Sequence, residues 1–313
     1  MPMNQPKVVV VGSINMDLVI RCPKLPRPGE TVMGSTVCEL PGGKGANQAV
    51  AAARMGGRVS MVGRVGDDAF GAKLIEQLKS EGVNTEYVVV TSNEASGLAV
   101  VSVDDHAENS IVVVPGANAK VSVEDVYEAR TLIENADVLL VQLEIGLETV
   151  EAAMELAGKS GARILLDPAP SIGRLTSRLL DCDLICPNVS EAESILGRRF
   201  VDSDDVIAAP RELVELGCPR AIITLGEEGS LVCEDGEVSK VPGFSVAAVD
   251  TTAAGDSFAG TLAVTWCEQQ DLVSAMKRAN AAGAIVASRF GAQTAMPTVA
   301  EVESLLSDRS SSK

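Results

Sequence analysis

The chain predicts an α/β fold: a three-layer, doubly wound, mostly parallel sheet with helices on both faces. Three observations carry this. Val-rich runs alternate with Ala-rich stretches of helical period. The first run, Lys7–Ser13, is almost continuously apolar, the pattern of a strand buried on both faces. From Val121 on, strand-like and helix-like segments repeat as βα units, which run parallel when joined by right-handed crossovers.

Composition sets limits. The chain has 313 residues, 46% hydrophobic but only 3% aromatic, so its core must be built from Val, Leu, Ile and Ala. The formal charge of −17 argues against nucleic-acid and anionic-membrane partners, yet leaves room for a nucleotide held by backbone amides and a metal. Seven cysteines without a C-x-x-C pair read as reduced, mostly buried thiols rather than a zinc site. Met1–Lys7 has no apolar signal core and Val8–Val11 is too short to span a bilayer, so a cytoplasmic protein is expected. No repeat or linker divides the chain, so residues 1–313 are expected to form one domain, with a disordered Ser-rich tail at 307–313.

In order, strand Lys7–Ser13 is followed by Asn15 and Asp17, short polar residues at the carboxyl end of a buried strand, where α/β sheets bind ligands. The same residues also suit a loop-closing Asx turn. Cys22–Glu30 is a Pro-rich loop and Thr31–Leu40 reads as extended. Next, Pro41-Gly42-Gly43-Lys44-Gly45-Ala46-Asn47-Gln48 turns into a helix at Ala49–Met55. Its glycines allow close approach to a ligand, Lys44 can meet a phosphate and Asn47 a hydroxyl. The spacing is not that of a Walker A loop. Strand Val59–Val65 and helix Ala69–Glu81 follow, then two arms, Gly97–Val103 and Ile111–Pro115, joined as a hairpin by a charged loop. The one histidine, His106, sits at that tip and reads as solvated.

The later units are helix Val123–Asn135, strand Val138–Leu143, helix Leu147–Ser160, and strands Arg163–Leu166, Leu184–Cys186 and Arg220–Leu225. Short extended pieces over Leu231–Val249 precede helices Phe258–Gln269, Leu272–Ser288 and Val299–Leu306. Glu144, Asp167, Asn188, Thr224 and Gly226 then converge on one carboxyl edge. At Asn188-x-x-Glu191, oxygen ligands suit Mg²⁺, and an N-cap with a capping-box Glu suits the spacing equally. Thr224–Gly229 fits either a nucleotide contact or a hairpin turn.

Val249–Phe258 organises the whole. Small residues and Gly255 open a helix whose bare amides favour an anion, yet Asp256 lies in that first turn. Taken alone, a carboxylate there suits equally a base beside a transferring phosphoryl group and a residue that merely caps the helix, and the rest of the chain favours the base. Asp256 would deprotonate the acceptor, Gly255 and its neighbours Ala253 and Ala254 would form the anion hole, and Lys44 with Mg²⁺ would neutralise phosphate. Asn15, Asp17, Gly43, Asn47 and Glu144 would grip hydroxyls, giving phosphoryl transfer from a nucleotide to a sugar. An oxidoreductase reading fails because the G-x-G-x-x-G fingerprint is missing after the first strand.

These residues resemble the PfkB carbohydrate kinase family over Val8–Pro297. The match lies in Gly12–Asp17, Pro28-Gly29-Glu30, Gly42–Ala49, Pro187-Asn188 with Glu191, and Asp250–Asp256. Asn15 with Asp17 and the Gly42–Gln48 run point to the members that phosphorylate D-ribose. The resemblance implies transfer of the ATP γ-phosphate to O5 of D-ribose, with Asp256 as base. It implies sugar contacts from Asn15, Asp17, Gly43, Lys44, Asn47 and Glu144. Nucleotide positions are Asn188, Thr224, Gly226, Gly229, Gly255 and Asn280, with Mg²⁺ near Asn188 and Glu191. It further implies a K⁺ site at Asp250 and the backbone near Thr252, Val286, Arg289 and Gly291. A small β-sheet lid from about 16–42 and 97–115 is expected to pair two copies into a homodimer. Ala295, where a hydroxyl is common, and Asp167, where Asn is common, depart from the pattern. The alternatives are a kinase for deoxyribose, fructose or adenosine, or a non-catalytic sensor of ribose or nucleotide.

Overall fold

The computed structural model describes residues 5–106, 108–269 and 271–310. The chain begins β1 (Lys7–Val11), β2 (Asn15–Arg21), β3 (Thr36–Gly42), α1 (Lys44–Arg54), β4 (Arg58–Gly66), α2 (Ala69–Ser80), β5 (Asn84–Thr91), β6 (Gly97–Val103) and β7 (Asn109–Val114). It continues through α3 (Val123–Glu128), α4 (Arg130–Glu134), β8 (Val138–Val141), α5 (Leu147–Ser160), β9 (Arg163–Leu166), β10 (Leu184–Ile185), α6 (Val189–Leu196) and α7 (Ser203–Glu215). The last elements are β11 (Ala221–Thr224), β12 (Gly229–Glu234), β13 (Glu237–Pro242), α8 (Ala254–Gln269), α9 (Leu272–Ala287) and α10 (Val299–Ser310).

Nine strands form one sheet in the order β13-β12-β11-β10-β9-β8-β1-β4-β5, and β3-β2-β6-β7 form a separate small sheet. The large sheet is parallel except for β12 and β13. Strand β1 shows why its sequence is apolar throughout. Val8 and Val10 join a core under α1, α8 and α9, while Val9 and Val11 join a core under the helices of the opposite face. With few aromatics, the first core closes by helix contact through alanine and glycine. A Cβ on Gly260 would lie 2.5 Å from the Gln48 carbonyl, so α8 meets α1 backbone to backbone. This contact brings the first turns of α1 and α8 together at the carboxyl edge.

Several boundaries differ from expectation. Helix α1 begins at Lys44, with Gly43 at φ 88° as its N-cap, because glycine accepts the left-handed entry. Asn15–Arg21 is strand β2, not a turn, because it pairs with β3 on one side and β6 on the other. The helix expected over Val123–Asn135 is broken at Ala129. Strand β3 begins at Thr36, later than the extended run suggested. Edge strand β5 and helix α7 fall outside the expected elements, whereas α6 begins where the Asn188 cap places a helix. Chain expected to be disordered from Ser307 is helical through Ser310, and Ser311–Lys313 lie outside the described residues.

In the small sheet, β6 and β7 form the antiparallel hairpin and β2 runs parallel to β6. Asp104 closes the hairpin loop by accepting from the His106 and Glu108 amides at 2.9 and 3.0 Å. Strand β7 is exposed along its whole length, with Val112 61% accessible. Among the described residues, no helix is long and apolar enough to cross a membrane.

Candidate active site

Asp256 is only 6% exposed at the start of α8. The chain enters through Ala253 at φ 59°, a strained value for a residue with a Cβ. The Ala254 amide donates to Thr251 O at 3.2 Å. The amides of Ala253, Gly255 and Asp256 find no acceptor among the described residues. Of the amides expected to form an anion hole, that of Ala254 is thus already paired within the turn, while the Asp256 amide is unpaired beside that of Gly255. Two side chains of α1 hold the carboxylate. Asn47 Nδ2 donates to Oδ2 at 2.9 Å and Gln48 Nε2 to Oδ1 at 3.2 Å. Gln48 Nε2 also donates to Asp167 Oδ2 at 2.6 Å, while its Oε1 accepts from Gln142 Nε2 at 2.6 Å. The Asp256 carboxylate can only accept, so the nitrogen end of Gln48 faces it and the oxygen end is left to Gln142. Burial, against the pull of Lys44 and with the charges of Asp256 and Glu191, pushes the Asp167 carboxyl up to about 7.

Asn15 and Asp17 project from one face of β2, two residues apart. Glycine lets the next loop close over them: a Cβ on Gly42 would lie 2.2 Å from Asp17 Oδ2, and one on Gly43 2.7 Å from the Asn15 amide. Ser13 Oγ bonds Glu144 Oε2, which also accepts from the Lys44 amide at 3.1 Å. Burial, with the charges of Glu144 and Asp256, pushes Asp17 up to about 7. Burial opposes the charge on Lys44, but Asp256, Asp167, Glu144 and Glu191 outweigh it and hold the ammonium above the usual lysine range.

Beside this polar cluster is a cavity of about 200 Å³ lined by Thr224, Gly226, Gly229, Gly255 and Asn280. Phe244, Val246, Ala248, Phe258, Gly283 and Ala284 add apolar and small walls, and Glu227 and Thr251 lie on it as well. Asn280 is fixed by donating to Val241 O at 3.1 Å. Asn188 and Glu191 form the capping box of α6. The Asn188 oxygen accepts from the Glu191 amide at 2.9 Å and the Glu191 carboxylate from the Asn188 amide at 2.8 Å. Among the described residues no cluster of three or more His, Cys, Asp or Glu could hold a metal by itself.

Asp250 accepts from the Thr252 amide at 3.0 Å and the Gly291 amide at 3.1 Å, drawing two loops together. The Val286 carbonyl accepts from the Arg289 amide at 2.9 Å, whereas the carbonyls of Thr252, Arg289 and Gly291 accept no bond among the described residues. The Arg289 side chain turns away to Glu301 and Ala295 O.

Residues 5–299 match the model of the pfkB family carbohydrate kinases. The chain belongs to the PfkB family. Relatives agree with this. A ribokinase of Haemophilus influenzae is 39% identical over 93% of this chain and 95% of its own length. A deoxyribokinase of Salmonella typhi is 38% identical over 96% of this chain and 98% of its own. A solved structure of an Arabidopsis thaliana ribokinase complexed with ribose and ATP superposes with TM-score 0.88 at 32% identity, covering 97% of this chain and 99% of that one. The protein is a carbohydrate kinase, and kinases of this family use ATP with a divalent metal.

Within this PfkB site the structure gathers Asn15, Asp17, Gly43, Lys44, Asn47, Glu144 and Asp256 on one side, and Thr224, Gly226, Gly229, Gly255 and Asn280 around the cavity. Gln142, Asn118 and Gln293 escaped the sequence reading, as did the part played by Gln48 within the Gly42–Gln48 run. Gln293 Nε2 donates to Asn47 Oδ1 at 3.3 Å, so even the Asn47 amide is oriented from behind. Gln48 offered a faint signal as a polar residue opening an otherwise Ala- and Val-rich helix. The apolar Phe244, Val246 and Ala248 alternate along the chain, which is the strand-like signal of the cavity wall.

Proposed function

We propose that this PfkB kinase transfers the γ-phosphoryl group of ATP to O5 of D-ribose, giving D-ribose 5-phosphate and ADP. The observation that carries the chemistry is the Asp256 carboxylate, held by the Asn47 and Gln48 amides beside unpaired backbone amides. Asp256 accepts the proton of the acceptor hydroxyl as its oxygen attacks phosphorus. The Gly255 and Asp256 amides and the Lys44 ammonium stabilise charge on the transferring group without reorganising. Asn15, Asp17 and Glu144 hold the other hydroxyls. The ribose assignment is supported by the named relatives, and the deoxyribokinase among them makes deoxyribose the second reading.

The metals are assigned by donor chemistry. Mg²⁺ would lie near Asn188 and Glu191. Their mutual capping bonds leave Glu191 Oε1 to reach it through water. A monovalent cation, K⁺, would sit against Asp250 and the unbonded carbonyls of Thr252, Arg289 and Gly291, with Val286 at its rim. These ions supply charge neutralisation. The exposed apolar residues Ile111, Val112 and Val113 of β7 and Val37 of β3 support a homodimer formed through the small sheets.

The test is steady-state ADP release with ATP and Mg²⁺ across ribose, deoxyribose, fructose and adenosine, in K⁺ and then Na⁺ buffer. Preference for ribose with K⁺ stimulation is expected. Preference for another acceptor moves the specificity. No turnover despite calorimetric ribose binding makes the protein a sensor.

A further inference from the structure

Asn118 lies far from the reacting atoms in sequence and is 1% exposed, in the tight turn Gly116–Lys120 that follows β7. Both polar atoms of its side chain go to one place. Its Oδ1 accepts from the Ile14 amide at 2.9 Å, and its Nδ2 donates to Ile14 O at 3.1 Å and to Asn15 Oδ1 at 2.7 Å. Two backbone groups decide this orientation. A backbone N–H can only donate and a carbonyl can only accept, so the oxygen and nitrogen ends of Asn118 cannot be exchanged. The nitrogen end therefore meets Asn15, and Asn15 must offer its oxygen in return. Its own Nδ2 is the end left over. Among the described residues nothing accepts from that nitrogen, and it is not sealed inside the protein.

A second observation shows that the contact is built. Gly97 pairs with Asn15 across β6 and β2. A Cβ there would lie 2.1 Å from both Asn118 Nδ2 and Asn15 Oδ1, so only glycine leaves room for the bond.

We infer that Asn118 is a positioning residue for sugar recognition: it fixes the Asn15 amide with its donor end toward the acceptor sugar. Asp17, two residues along the same strand face, makes no hydrogen bond to the described protein and presents an acceptor. One sugar hydroxyl is then read twice, its oxygen accepting from Asn15 and its hydrogen donated to Asp17. A deoxy sugar lacking that hydroxyl leaves both groups unpaired, the most selective arrangement a polar site can have. This rests on the sugar-kinase reading above.

The experiment compares kcat and KM for D-ribose, its 2-deoxy and 3-deoxy analogues and ATP in the wild type, Asn118→Ala and Asn118→Asp. In Asn118→Ala the ribose KM rises about tenfold, as expected for one lost orienting bond. The KM for ATP stays within about twofold, and the preference for ribose over the deoxy sugar that lacks the hydroxyl shrinks by a like factor. Asn118→Asp has nearly the same shape but turns an oxygen toward Asn15, which must reverse its amide. It therefore fails to restore the preference. A role in packing alone predicts the opposite, recovery with the near-isosteric Asp. An unchanged preference in a folded Asn118→Ala, or wild-type behaviour in Asn118→Asp, overturns the inference. The Asp variant decides alone if the Ala variant does not fold. If the wild type prefers a different sugar, that sugar and its deoxy analogues are used and the same results decide. A wild type that binds no sugar overturns the kinase reading and this inference together, before any variant is made.

Discussion

The two sides of the cleft are built by different means. On the sugar side, Asn15, Asn47, Gln48, Asn118 and Asp256 are all buried polar residues, each fixed by hydrogen bonds to another. The cavity beside it, proposed for the nucleotide, is walled mainly by small and apolar residues such as Gly226, Gly229, Gly283, Ala248 and Ala284, with Thr224, Glu227, Thr251 and Asn280 as its polar members. Buried amides and carboxylates cost desolvation unless every partner is placed, which makes the sugar side exacting. A wall of small residues leaves backbone and void, which tolerates variation until the void is filled.

Substitutions test this contrast, beginning with the largest effect. Asp256→Asn lowers kcat by roughly 10²–10⁴-fold, while calorimetric sugar affinity changes little. Unchanged turnover would remove Asp256 as the base. Next is the crowding of carboxylates on the sugar side. The Asp167 carboxyl holds its proton in the folded state up to about pH 7, against 3.8 for the free group, so the folded state loses stability as pH rises from 3.8 through 7. Asp167→Asn is then more stable than wild type at pH 8 by roughly 2–4 kcal/mol, and the gap closes by pH 4. Thermal melts across that range measure it; a gap independent of pH contradicts the protonated Asp167.

Asn15→Ala is expected to raise the sugar KM by roughly 5–150-fold and to spare that of ATP. Equal loss for both ligands would make Asn15 a loop support. The smallest effect belongs to the other wall. Ala284→Leu, filling the cavity, raises the KM for ATP by about tenfold with sugar KM unchanged, since overfilling a packed site costs about 1–3 kcal/mol. Sugar and ATP affected alike would mean that the cavity is not the nucleotide wall.

Much of this site was legible because it lies on the chain at intervals the fold rewards. Glu144, Asp167 and Asn188 each follow a strand and Thr224 ends one, so βα alternation alone brings them to one edge. Asp256 was legible because it closes the Asp250–Asp256 run, where small residues and a glycine open a helix. Asn188 and Glu191 were ambiguous, since a capping box and an oxygen-ligand pair share one spacing, and the structure realises the capping box. Gln142, Asn118 and the part played by Gln48 were not legible. A buried amide and a solvated one are the same letter, and only the partner distinguishes them.

By itself the sequence determined what depends on near neighbours: the buried parallel strands, the helix periods, the glycine turn before Lys44 and the acid at the mouth of α8. Local sterics and hydrophobic period act over a few residues, so they can be read in order. The tertiary structure alone decided how each buried amide is turned. That choice rests on bonds such as Asn47 to Asp256 across 209 residues and Asn118 to Ile14 across 104. It turns on which donor lies behind an acceptor, and no local period encodes that.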